Sequence, residues 1–174
     1  MNMGRASVFA VALAFIWLSV ADLSRAQKSE DKEHAELAKA LKDAKVTLEK
    51  GLSASESQGK PISGKFEVED GKLQLSVYTM KGDKFSEVIV DHKSGKVAKT
   101  EAITGGDDLS AAKAQSGAIA KAKVSLRSAT EKAIKENKGY RAVSVTPSLK
   151  EGHSVAEVTL VKGDEFKTAS EKLD

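Results

Sequence analysis

Gly59-Lys60-Pro61-Ile62-Ser63-Gly64-Lys65 has the spacing of a phosphate-cradling loop, with four residues between two glycines and a lysine directly after. That loop needs a Ser or Thr next, to hold the magnesium ion, and a strand before it with a helix after. Here Phe66 follows, and the apolar period changes from helical to strand-like across the segment, so the order of elements is reversed. His34, His92 and His153 are scattered, and none stands at metal-site spacing from another histidine. The chain has no cysteine, which removes thiolate chemistry and disulfides together. No Ser, His and acid set is visible as a group, and the expectation is a protein that is not an enzyme. One constellation remains, and it is acidic. Glu67, Glu69, Asp70 and Asp91 come to one sheet edge if the strands that carry them form an up-and-down meander. Oxygen-only sets of this kind suit hard cations, calcium or a lanthanide-type ion. Asp91 lacks acidic partners at the next alternate positions, so there is no EF-hand loop. The competing reading is a turn-rich edge that is acidic for helix-dipole and solubility reasons.

The elements that must position these residues follow from periodicity. Leu37, Leu41, Ala44, Leu48 and Leu52 recur at spacings of three and four, which predicts a helix over about Ser29–Gln58. Gly59-Lys60-Pro61 ends it. The period then becomes two. Phe66 and Val68, then Leu73, Leu75 and Val77, then Phe85 to Val90 and Val97 to Ile103 read as four strands joined by Gly-containing turns. Thr104 to Asp108 reads as a linker. A second helix is expected over about Leu109–Asn137, with strands at Tyr140–Thr146, Ser154–Val161 and Glu165–Ala169. Residues recur along with the order of elements. Ala44-Lys45-Val46-Thr47-Leu48 matches Ala122-Lys123-Val124-Ser125-Leu126, and Lys81-Gly82-Asp83-Lys84-Phe85 matches Lys162-Gly163-Asp164-Glu165-Phe166. The fold class expected is therefore α+β, as two repeated units, each a long helix packed on a 3–4-stranded antiparallel sheet. The boundaries are 27–103 for the first unit, 104–108 for the linker and 109–174 for the second, which lacks the last strand.

The first residues carry an address. Arg5, an apolar run from Ala6 to Val20, and Ser24-Arg25-Ala26 predict a signal peptide over 1–26, cleaved before Gln27. The run is shorter than the ~20 apolar residues that span a bilayer, so no transmembrane segment is expected after cleavage. Cleavage removes two arginines and one aspartate, and with them the tryptophan at position 17. The formal charge of +3 then drops by one, which leaves an almost balanced protein. Its basic residues are nearly all lysines, interleaved with acids and without alternating aromatics, which excludes a nucleic-acid groove.

A helix followed by a meander that closes on Val90-Asp91-His92-Lys93-Ser94-Gly95-Lys96-Val97 resembles a PepSY domain. In that family the third strand runs into an Asp, a Thr/Ser-Gly-Lys-Val turn and a final strand. The resemblance covers residues 30–103, and 112–170 more loosely, as a tandem pair. It implies a non-catalytic exported binding module, inhibitor- or chaperone-like toward an envelope peptidase or another protein. Periplasmic or secreted placement, a protein partner in the cell envelope and no cofactor go with it. The alternative function is a periplasmic metal-ion-binding protein that uses the acidic edge, with a hard cation as its cofactor.

Overall fold

The stripe from Leu37 to Leu52 does not lie on one helix. The computed structural model describes residues 20–174, and residues 1–19, with most of the expected signal peptide, lie outside the described residues. Helix α1 (Val20–Ala40) tightens into a 3₁₀ turn at Leu41–Asp43 and stops, and α2 (Leu48–Ser55) starts afresh. The break has a cause in the sequence. Thr47 takes extended backbone, and its hydroxyl accepts a hydrogen bond from the Lys50 amide at 3.3 Å, which caps α2. The amides of Lys45 and Val46 donate to the His92 carbonyl at 2.9 and 3.2 Å, pinning the connector to the turn Asp91–Lys96. The second predicted helix breaks in the same way, into α3 (Gly106–Ala118) and α4 (Leu126–Glu136). Ser125 accepts from the Ser128 amide at 3.1 Å, and the Lys123 and Val124 amides donate to the Leu173 carbonyl at 2.6 and 3.0 Å.

Seven strands follow the alternating patterns: β1 (Lys60–Glu69), β2 (Lys72–Lys81), β3 (Lys84–Val90), β4 (Val97–Ile103), β5 (Arg141–Lys150), β6 (His153–Lys162) and β7 (Glu165–Lys172). Every neighbouring pair is antiparallel. Asp70-Gly71 and Glu151-Gly152 both take positive φ, at 49° and 74° and at 52° and 82°. Two successive left-handed residues give the tight hairpins that match strand twist.

The expected two repeated units, each a long helix on its own 3–4-stranded sheet, are not what the chain forms. It forms one seven-stranded sheet in the order β4-β3-β2-β1-β5-β6-β7, with four helices. β1 and β5 pair through Gly64↔Val145 and Lys65↔Ser144. As edges of separate sheets, β1 and β5 would each present a row of unpaired amides and carbonyls, and pairing with each other satisfies both. The sequence matches are therefore local. Ala44–Leu48 and Ala122–Leu126 are helix connectors, and Lys81–Phe85 and Lys162–Phe166 are hairpin turns.

The helices divide between the two faces. α2 lies over Gly64, where a Cβ would stand 3.1 Å from Leu52 Cδ2 and 3.4 Å from Leu48 Cδ1. α4 lies beside it on the same face, packed on β5, β6 and β7. Leu48, Leu52, Leu75, Val77, Val88, Val145, Val158 and Leu160 are fully buried between these helices and the sheet. α3 lies on the opposite face: Ser63, the neighbour of Gly64 in β1, donates to Gln115 Oε1 of α3 at 2.7 Å. Among the described residues, no helix is long and apolar enough to cross a membrane.

Candidate functional site

The acidic residues separate into two groups. Glu69, Asp70 and Asp91 line one broad open groove with Glu36 and Asp43, and Lys39, Lys42, Lys72 and Lys93 line it too. Asp91 is committed to its own turn. Its Oδ1 accepts from the Ser94 amide at 2.6 Å and the Lys93 amide at 3.3 Å. Hydrogen bonding by Ser94, side chain first and then backbone, holds the Asp91 carboxyl below the usual carboxylate range. Glu67 does not line this groove. It pairs with Lys65 Nζ at 2.5 Å and accepts from Ser76 Oγ at 2.9 Å. Among the described residues, no group of three or more His, Asp or Glu side chains is placed to hold a metal ion.

Glu67 belongs to a polar network that the sequence reading did not assemble. Ser63, Lys65 and Glu67 of β1 share a sheet face with Ser76 and Tyr78 of β2 and Glu87 of β3, the face that α3 covers. Tyr78 Oη donates to Glu87 Oε1 at 3.0 Å, and Gln74 Nε2 donates to Ser76 Oγ at 3.0 Å. Burial, then the charges of Glu87 and Glu67, push the Tyr78 phenol far up, so it remains a donor. Burial also raises the Glu87 carboxyl, against the hydrogen bond from Tyr78 that favours its charge. Asp108, in the first turn of α3, is raised mainly by burial while Lys65 pulls it down. Most of these bonds run within the sheet, the Asp108 Oδ1 is buried without a hydrogen-bond partner, and α3 is fastened to this face by Ser63 donating to Gln115 and by Ser116 Oγ against Met80 Sδ at 3.2 Å. The period-two run of polar residues at 63, 65, 67 and at 74, 76, 78 was the signal for this face.

The sheet ends at β7, and this strand is held firmly. Its register with β6 is unbroken from Val155↔Lys172 to Lys162↔Glu165. Glu171 is buried under α4 and bound by Lys132 Nζ at 2.5 Å, which raises the lysine's pKa. At the other end, Tyr140 Oη donates to Glu165 Oε1 at 2.5 Å, Lys167 Nζ lies 4.0 Å from the Tyr140 ring centroid, and Phe166 stacks on His34 at 4.0 Å. Leu173 is fully buried just beyond the strand, and its amide donates to the Ser154 carbonyl at 2.9 Å. Among the described residues, nothing pairs with the outer side of β7. Such an arrangement, ends anchored and one backbone edge open, can accept an added strand.

No protein-family model matches this chain, and no curated protein matches it. Among solved structures it is similar to a putative lipoprotein from Clostridium difficile 630, at 12% sequence identity with a TM-score of 0.42. That alignment covers 76% of this chain and 89% of the other.

Proposed function

We propose that this protein is a non-catalytic, exported binding module that takes up an extended segment of a partner protein along the outer edge of β7. The observation that carries the reading is the strand itself: eight residues in continuous register, anchored at both ends, with its outer backbone unpaired among the described residues. A strand added there gains main-chain hydrogen bonds without the entropic cost of ordering the receiving edge. The resemblance of residues 30–103 to PepSY domains supplies the class of partner, an envelope peptidase or another envelope protein that is inhibited or chaperoned. Glu67 and Glu87 under α3 are each hydrogen-bonded within the sheet, and the reading assigns them to structure rather than to chemistry.

Photo-crosslinking from position 168 in intact cells, followed by hydrogen exchange on the purified pair, tests this. Thr168 is exposed on β7, and Lys113, exposed on α3, is the control position. The reading expects a discrete envelope protein crosslinked from 168 and slowed exchange of β7 amides when it binds. Crosslinking no stronger than from 113, or a partner that leaves β7 exchange unchanged, overturns it.

A further inference from the structure

The opposite end of the sheet is also open, and its sequence has a symmetry. β4 reads Val97-Ala98-Lys99-Thr100-Glu101-Ala102-Ile103, and residues 98–102 are exposed. Turned end for end about Thr100, the strand meets its own complement. Lys99 falls opposite Glu101, Ala98 opposite Ala102 and Val97 opposite Ile103, with Thr100 opposite itself. We propose that β4 pairs antiparallel with β4 of a second copy of this chain, on a two-fold axis through Thr100, continuing the sheet across the dimer.

Three observations carry this choice of occupant. The first is charge. A self-pairing strand doubles every cross-strand contact, so one misplaced charge is penalised twice, whereas here both Lys99–Glu101 contacts are attractive. The second is backbone geometry. In an antiparallel ladder, alternate residues direct both amide and carbonyl to the same side. A register centred on one residue therefore pairs the copies whether residues 98, 100 and 102 or residues 97, 99, 101 and 103 face outward. β4 contains no proline to interrupt that row. The irregularity in its pairing with β3 falls between Ile89 and Val90, opposite Ala98, so the regular part of the self-paired register is Lys99–Glu101 about Thr100, and the pairs beyond it meet that bulge. The third is contrast with the other edge. On β7, Glu171 is buried beneath α4 and held by Lys132, and Glu165 and Lys167 are both engaged by Tyr140, through its hydroxyl and its ring. In the single chain, Lys99 and Glu101 pair with each other along one face at 2.8 Å, both well exposed, and are free to redistribute onto a second copy.

The test is a charge-swap series on the full chain, read by sedimentation equilibrium from a few micromolar to several hundred micromolar. Wild type is expected to be in monomer–dimer equilibrium. Glu101→Lys sets Lys against Lys at both contacts, and Lys99→Glu sets Glu against Glu, so each alone should weaken the dimer by at least about tenfold. Mixing the two variants restores both attractive contacts and should give a heterodimer, and the double variant K99E/E101K should dimerise like wild type. Both residues concerned, Lys99 and Glu101, are exposed surface positions, and thermal melts of the variants should match wild type. A wild-type chain that stays monomeric throughout the range overturns the proposal. So does a dimer indifferent to Glu101→Lys, and so does a mixture of the two single variants that remains monomeric.

Discussion

Substituting Gly51 by alanine sets two effects of known size against each other. Gly51 is the fourth residue of α2, and in a helix alanine is favoured over glycine by about 1 kcal/mol. If α2 were only loosely applied to the sheet, Gly51→Ala would be stabilising by about that amount. The structure places the new Cβ 2.6 Å from Leu75 Cδ2, 3.1 Å from Cγ and 3.3 Å from Cδ1. Carbon atoms pack best at about 3.5–4.0 Å, and the whole isobutyl group is in the way, so no single methyl rotation clears it. Leu75 has no exposed surface into which to withdraw. Overpacking of this kind costs about 1–3 kcal/mol, so the net expectation after the helix gain is destabilisation by up to about 2 kcal/mol. For a chain of this size each kcal/mol corresponds to about 2–4 °C in Tm. Urea denaturation followed by far-ultraviolet circular dichroism should show a lower midpoint with an unchanged slope. In a Leu75→Val background, where one methylene is gone, the same glycine substitution should cost less or become favourable. A midpoint that rises with Gly51→Ala in the wild-type background would refute the close seating of α2 on β2.

Leu48→Ala and Leu126→Ala should each lose roughly 2–5 kcal/mol, because both side chains are buried at the first position of a helix on the same face of the sheet; an unchanged denaturation midpoint for either would remove that helix from the core. Ser125→Ala should cost about 1 kcal/mol through loss of the α4 cap, and Ser125→Gly only a few tenths, measured by the same curves. Glu87→Gln tests the network under α3. Burial raises the Glu87 carboxyl above its ordinary value of 4.5 in the folded chain. The native state therefore binds this proton more readily than the unfolded state, and stability falls as pH rises from about 4.5 through the raised value. Glu87→Gln should flatten that part of the wild-type pH–stability profile without lowering stability at neutral pH, and identical profiles would show that Glu87 is not buried as described.

The strands were legible because their apolar alternation is strong and their turns carry glycine at positions that need positive φ. Gly71 and Gly152 close hairpins in this way. The helix breaks were not legible from periodicity. Leu41, Leu48 and Leu52 are all buried, so the stripe is real, but two helices sharing one face present the same stripe as one long helix. The signal was chemical. Thr47 and Ser125 are capping residues at equivalent places in the matched segments, and the match itself marked the breaks. Of the acidic residues, Glu69, Asp70 and Asp91 line one groove. The sequence pattern does not show that Asp91 accepts from Ser94 and Lys93 within its own turn, or that Glu67 turns to Lys65 and Ser76. Glu67 lies on the face that α3 crosses, and α3 has only two buried residues, Ala112 and Ala118, to announce it.

The merging of β1 with β5 also changes what the rest of the sheet can do. Two separate sheets would expose four edges, and one sheet exposes two. The two that remain are not treated alike. β7 is fixed by an ion pair to α4, a stacked ring from α1 and a buried leucine just past its end, so its backbone is presented as a rigid template. Among the described residues β4 has no helix contact comparable to that of α4 with β7, and the side chains of residues 98–102 stand in solvent, with Lys99 and Glu101 on either side of Thr100. Charges on an edge strand ordinarily oppose pairing. That opposition is cancelled where the incoming strand sets an acid opposite Lys99 and a base opposite Glu101, as a second copy of β4 does. On the two proposals above, β4 would then favour a second copy of the chain, and the edge at β7 would be left for a different strand.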